Sequence, residues 1–353
     1  MGGCQPNLTF VRLFQILYQV IFALPIIPTH RPRRNRKSQV IRDMVQETRL
    51  TAHDFIYPVF ITEGQNKTEE IKSMPGIHRF TPDRVIDEIG QCVELGVKAF
   101  APFPNINEVL KDRLARESAN MEGLYLKTVA DIRRQFPDVV LMTDVAMDPY
   151  SSDGHDGIVD PDSGEILNDA SLEVLGQMAL AQARAGADII GPSDMMDGRV
   201  AWIRDVLDSN GFSHVSIMSY TAKYASAFYG PFRDALSSAP KKGDKKSYQM
   251  NPANRLEALR ELTLDEAEGA DMVMIKPALS YLDIIREVKD ATTLPVTAYN
   301  VSGEYAMIKA AAQNGWVDGE RTMMEVLLSI KRAGADAILT YFAKEAAEVL
   351  RRG

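Results

Sequence analysis

Four times along this chain a helical stretch stops at a glycine, and a short apolar run starts two residues later. The four triplets are Gly96-Val97-Lys98, Gly186-Ala187-Asp188, Gly269-Ala270-Asp271 and Gly334-Ala335-Asp336. Glycine is the favoured residue for the left-handed turn that closes a helix. Each triplet therefore reads as one helix-to-strand junction. Well-patterned helices lie between them, at 171–185, 256–268 and 321–333. Eight segments read as strands: 56–61, 99–103, 139–143, 188–192, 215–220, 272–276, 296–301 and 337–341. Most are apolar without alternation, as parallel strands covered on both faces must be. Eight strand–helix repeats in one sheet predict an α/β fold, a closed (β/α)8 TIM barrel with an N-terminal arm. An open doubly wound sheet is the alternative, and it is disfavoured because no Gly-x-Gly-x-x-Gly follows the first strand. The expected organisation is an extension over 1–29, a basic arm or oligomerisation segment over 30–50, and a catalytic barrel over 51–353.

In such a barrel the chemistry gathers at the C-terminal ends of the strands. The run Met272-Val273-Met274-Ile275-Lys276-Pro277 delivers a lysine there from a dry strand. One lysine after one strand is ordinarily a solvated or paired cation. Lys223 lies three residues beyond the fifth strand, at the same rim. Two ammonium groups within a few ångström disfavour each other's charge, and desolvation adds to this. One lysine would then be neutral near pH 7 and able to attack a ketone, forming an imine. Asp144, Ser193-Asp194, Ser302-Gly303-Glu304 and Tyr341 stand at the ends of neighbouring strands.

Two loops bear on the same rim. The stretch 144–157 carries Asp144, Asp148, Asp153 and Asp156 with His155. Such oxygen donors suit magnesium, calcium or a monovalent ion better than zinc. The loop reads equally as a turn whose aspartates cap local amides. After the fifth strand, 230–249 is glycine- and lysine-bearing and long enough to cover a barrel mouth. Arg233 and Lys245 in it would hold a substrate carboxylate. A solvated loop is the plainer reading for 241–246.

The totals narrow the partners. A net charge of −8 gives no global attraction to nucleic acid, and the basic stretch 30–37 is too short to make that case. Two cysteines, Cys4 and Cys92, exclude a disulfide framework and a multi-cysteine zinc site. Residues 10–28 are mostly apolar with Arg12 the single charge, yet they do not make a convincing membrane span, signal peptide or myristoylation site. An accessory extension is expected there. A cytoplasmic protein is expected, with a plastid as the alternative, and no membrane partner.

Long motifs carry a resemblance. Met218-Ser219-Tyr220-Thr221-Ala222-Lys223-Tyr224-Ala225-Ser226, Met274-Ile275-Lys276-Pro277, Pro192-Ser193-Asp194-Met195-Met196-Asp197-Gly198-Arg199 and Val301-Ser302-Gly303-Glu304-Tyr305-Ala306-Met307 closely resemble the delta-aminolevulinic acid dehydratase (porphobilinogen synthase) family. The likeness runs from about His30 to Arg351. It implies a TIM barrel, a homo-octamer embracing through N-terminal arms, with a hexamer as an alternative. It also implies condensation of two 5-aminolevulinate molecules to porphobilinogen with loss of two waters, a hydro-lyase step towards heme and chlorophyll. By this likeness Lys276 and Lys223 form the two imines, Arg233, Lys245 and Gln249 hold one substrate, and Ser302 and Tyr341 hold the other's carboxylate. Arginine often stands where this chain has Lys245, and glutamine or histidine where it has Asn300. Zinc-dependent members carry three cysteines at the positions of Ala146, Asp148 and Asp156. Their replacement here resembles the aspartate-rich, magnesium-stimulated subgroup. Zinc is not expected, no organic cofactor is expected, and an allosteric Mg2+ is implied at Glu261. Asp144, Asp148 and Asp156 are left as candidate ion ligands. On the residues alone, a single-imine aldolase, a metal hydrolase using the Asp/His loop and a non-catalytic assembly protein compete with this reading.

Overall fold

The computed structural model describes residues 30–352. What the sequence predicts for 1–29 lies outside the described residues. The chain divides into two compact units at Thr48. Within the first, a 3-10 turn spans Pro32–Arg36, where proline at the first position suits the fixed φ of a helix start. Ser38 caps the helix Gln39–Met44, its Oγ accepting the Ile41 N–H at 3.4 Å. Neither element buries a residue.

The second unit is a closed barrel. Its strands are β1 (Phe55–Ile61), β2 (Ala99–Pro104), β3 (Val140–Val145), β4 (Ile189–Pro192), β5 (Ser216–Lys223), β6 (Met272–Lys276), β7 (Val296–Asn300) and β8 (Ala337–Thr340). Neighbours pair in parallel, and β8 closes on β1 through Phe55↔Ile338 and Ile56↔Leu339. Helices surround them: α1 (Pro82–Glu94), α2 (Leu124–Gln135), α3 (Asn168–Ala185), α4 (Arg199–Ser209), α5 (Gly230–Leu236), α6 (Glu257–Ala267), α7 (Leu282–Ala291), α8 (Ser302–Gln313), α9 (Gly319–Ala333) and α10 (Ala343–Arg352). Every residue of β1 is buried, as its unbroken apolar run requires.

The repeated junction does more than cap helices. Gly186 adopts φ 104°, and its N–H donates to the carbonyls of Ala183 and Gln182. The aspartate two residues on then reaches the start of the preceding strand. Asp188 Oδ2 accepts the Leu141 N–H at 2.7 Å, Asp271 Oδ2 the Ile217 N–H at 2.7 Å and Asp336 Oδ2 the Val296 N–H at 2.8 Å. Three copies of one triplet therefore tie β3, β5 and β7 to the strands that follow them.

Strand β5 is longer than its apolar run suggests. It continues through Tyr220 to Lys223, with a register shift between Val273 and Ile275 on β6. Lys223 is thus the last residue of a strand rather than part of a loop. The shift brings it opposite Lys276 as a register partner.

Candidate active site

Adjacent strands in a sheet stand about 4.8 Å apart. Lys223 and Lys276 are partners across β5 and β6, and both line one cavity at the C-terminal rim. Both lysines are buried. The Lys276 amine is boxed by aromatic rings, with centroids at 5.1 Å for Tyr220, 5.2 Å for Tyr229, 5.1 Å for Phe232 and 4.6 Å for Tyr299. Among the described residues no carboxylate is ion-paired with it. Burial is the main cause that lowers its pKa to about 7, and the Lys223 ammonium adds to it. Asp144, Asp148 and Asp156 oppose.

Lys223 is held differently. Its amine donates to the Ser193 carbonyl and pairs with Asp156 Oδ2 at 3.3 Å. The other oxygen of Asp156 takes Lys245 at 2.7 Å, and Lys245 also pairs with Asp148 at 3.1 Å. Burial alone would raise Asp156, but the Lys223 and Lys245 ammonium groups overcome it and hold the carboxyl well below the ordinary range. Asp148 goes the other way, because burial and the Asp156 charge outweigh Lys245. Asp144 is pushed up to about 6 by burial, against the pull of Lys276 and Lys223. It lines the cavity beside both amines.

Two of the loop aspartates are ion-paired in this arrangement. Asp148 and Asp156 are bound to lysine ammonium groups, and Asp144 lines the same cavity as Lys223 and Lys276. No three histidine, cysteine or carboxylate side chains converge as metal ligands among the described residues. Glu261 lies elsewhere, half-buried on α6 in a cleft of about 700 Å3 that Asp197, Glu257 and Asn254 also line. Burial raises its pKa, with the Arg199 guanidinium opposing. A hydrated magnesium needs only one or two carboxylates, so this cleft is compatible with one.

The segment after β5 covers the rim and is anchored there. Arg79 donates to the Asp234 and Ala235 carbonyls at 2.6 Å each, Lys111 to the Ser237 carbonyl at 2.9 Å, and His155 Nε2 meets the Lys242 carbonyl at 2.9 Å. Arg233, Lys245 and Gln249 reach the cavity from it. The cavity measures only about 30 Å3, roughly the share of one water molecule.

Ser302 and Tyr341 are near but outside the cavity wall. The Ser302 Oγ accepts the Phe232 N–H at 3.0 Å and donates to the Phe228 carbonyl at 3.3 Å. The Tyr341 hydroxyl shares a hydrogen bond of 2.8 Å with Tyr299. Phe232 stands between the two halves, its ring against Lys276 on one side and 5.9 Å from Phe60 on the other, and Phe60 in turn stacks on Tyr341. No single stretch of sequence marks the aromatic box as a unit. Tyr220 and Tyr299 lie on β5 and β7, where a large residue in an apolar run could signal it. Tyr229 and Phe232 come from the covering segment, and no local pattern marks them.

Comparison with known proteins agrees over nearly the whole barrel. A family model described as Delta-aminolevulinic acid dehydratase matches residues 29–349. The Delta-aminolevulinic acid dehydratase of Bradyrhizobium diazoefficiens is 54% identical over 322 residues, covering 91% of each chain. The chloroplastic protein of Glycine max is 54% identical over 93% of this chain and 79% of its own. The Synechococcus elongatus protein is 51% identical over 92% of this chain and 100% of its own. Among solved structures, the Toxoplasma gondii ME49 enzyme in complex with the reaction product porphobilinogen superposes with a TM-score of 0.90 at 49% identity, covering 92% of each chain. This chain belongs to the delta-aminolevulinic acid dehydratase family.

Proposed function

We propose that this chain joins two 5-aminolevulinate molecules into porphobilinogen through imines on Lys276 and Lys223. The observation that carries this reading is the register pairing of the two lysines, with one of them neutral near pH 7 in an aromatic box. The neutral Lys276 amine attacks the ketone of one substrate. Loss of water from the carbinolamine needs a proton donor, and Asp144, with its pKa near 6 and its place beside both amines, supplies one. Protonated, the imine withdraws electrons and makes the neighbouring carbon acidic. Lys223 forms the second imine once substrate displaces its contacts with Asp156 and Ser193. The enamine derived from one imine attacks the carbon of the other, and the free amine of the substrate so attacked adds to the first imine carbon. Both lysine amines leave as the two C–N bonds to the enzyme break, and proton loss completes the pyrrole. Arg233, Lys245 and Gln249 bind one substrate, and Ser302 and Tyr341 the carboxylate of the other after Phe232 swings aside.

We further propose that catalysis uses no zinc, that Mg2+ at Glu261 is stimulatory and allosteric, and that the chain works as a homo-octamer. Support for the first is the lack of thiol donors at Ala146, Asp148 and Asp156 and the lysine pairing of the latter two. The acidic cleft around Glu261 supports the second. No helix among the described residues is long and apolar enough to cross a membrane. The relatives include bacterial and chloroplastic proteins, and either a cytoplasmic or a plastid site agrees with them. The test is a colorimetric porphobilinogen assay with 5-aminolevulinate, run with Mg2+, with Zn2+ and with chelator, on the parent and on Lys276→Met. Product from the parent in chelator, stimulation by Mg2+ and none from the variant are expected. No product under any condition would sink the reading.

A further inference from the structure

One buried acid at the rim takes no part in the chemistry above. Glu304, on the first turn of α8, is fully buried, and no cation pairs with it among the described residues. N–H donors ring it instead. Its Oε1 accepts the Leu279 N–H at 2.8 Å, and its Oε2 accepts the Val301 N–H at 3.1 Å and the Asn300 amide at 2.9 Å. The Ser280 N–H is a fourth donor. Leu279 and Ser280 belong to the turn Leu279–Tyr281 that follows Lys276-Pro277-Ala278. One carboxylate therefore ties the exit of β6 to the exit of β7.

The same turn of α8 reaches two more elements. The Asn300 Oδ1 accepts the Thr340 hydroxyl at 2.9 Å, which links β7 to the last residue of β8, next to Tyr341. Gly303 packs so closely on the covering segment that a Cβ there would stand 2.6 Å from the Phe228 carbonyl oxygen. The carboxylate has the only chemistry that suits its four donors. A glutamine would turn one acceptor oxygen into a donor facing N–H groups, leaving buried groups unpaired. The arrangement is also costly: burial raises the Glu304 pKa to about 7, against the pull of those hydrogen bonds.

We propose that Glu304 is a positioning residue, which fixes the turn after Lys276 against the start of α8 and so aims the reactive amine at the Ser302–Tyr341 wall. The proposal rests on the reading of Lys276 as the imine-forming lysine. It predicts a loss in the rate of imine formation rather than in substrate binding, because Glu304 itself reaches no cavity surface.

The test is borohydride trapping with 4-oxopentanoate, a keto acid that forms one imine, with the tagged peptide read by mass spectrometry. Rate against concentration separates the maximal rate from half-saturation. For Glu304→Gln the maximal trapping rate at Lys276 should fall about tenfold or more, with half-saturation within about threefold of the parent. Ser302→Ala should do the reverse, weakening half-saturation. Asn300→Ala removes one donor and the Thr340 link but leaves the backbone bonds to Glu304, and its maximal rate should fall about threefold. If the parent is tagged at Lys276 and Glu304→Gln is tagged just as fast, the proposal is wrong. Should Glu304→Gln fail to fold, a folded Asn300→Ala trapped at the parental rate overturns it equally. If the parent is not tagged at Lys276 at all, the site assignment fails instead.

Discussion

Replacing Lys223 with methionine probes the central electrostatic claim. The substitution keeps the unbranched stem out to Cε and removes the charged amine, and Asp156 retains Lys245 at 2.7 Å as a partner. Lys223 is the second cause, after burial, of the low Lys276 pKa. Two like charges about 5 Å apart at an effective dielectric near 20 repel by about 3 kcal/mol, equivalent to roughly two pH units. Asp156 screens part of this, so the expected rise is about one to two pH units. Trapping of 4-oxopentanoate by borohydride would be followed from pH 6 to pH 10. The rate midpoint is expected at about 7 in the parent, following the Lys276 pKa, and at about 8–9 in Lys223→Met. It should stay below the ordinary lysine value of about 10.4, since burial is untouched. A midpoint that stays put or falls would refute the reasoning, because the second lysine would then have no hold on the first.

Further outcomes follow from other contacts. Lys245→Met leaves Asp148 and Asp156 buried with one cation fewer, a change that typically costs about 3–5 kcal/mol. Thermal unfolding should show the loss, and millimolar Mg2+ should restore part of it by taking the vacated position. Gly303→Ala forces a Cβ to within 2.6 Å of the Phe228 backbone, and strain of about 1–3 kcal/mol is expected. Calorimetry should show a Tm lowered by a few degrees. Asp144 has a pKa raised on folding, to about 6. Its protonated form thus favours the fold at low pH, and that contribution is lost as pH climbs through about 6. Denaturant titrations of Asp144→Asn should show a gain in stability over the parent above pH 6, shrinking towards pH 4, with porphobilinogen formation lost throughout.

Much of the barrel could be read along the chain because its signals are local. Eight strands were legible as apolar runs, since parallel strands covered on both faces tolerate little else. Helix ends were legible through the glycine that closes them. The second job of those junctions was not legible. Asp188, Asp271 and Asp336 each bond to the start of the preceding strand, 40 to 54 residues earlier in the chain, and no nearby residue announces that. The two lysines could be placed on one rim from strand order alone. Their register could not, because it depends on an irregularity between Val273 and Ile275 that shifts β5 against β6.

The aspartate-rich loop marks the division most clearly. Its composition allows an ion or a set of capped turns, and it does not tell which groups approach from elsewhere. Lys245 and Lys223 arrive from the covering segment and from β5 and take the oxygens of Asp148 and Asp156. The aromatic box around Lys276 draws on three separate segments, and Glu304 finds donors on two strand exits. Sequence by itself determined the barrel, the rim and the residue types that stand there, since helix caps and apolar runs are written within a few residues. Tertiary structure alone decided which lysine is stripped of water and which is paired. Charge and desolvation act through space, and the groups that set them here lie as far apart as Asp144 and Tyr299.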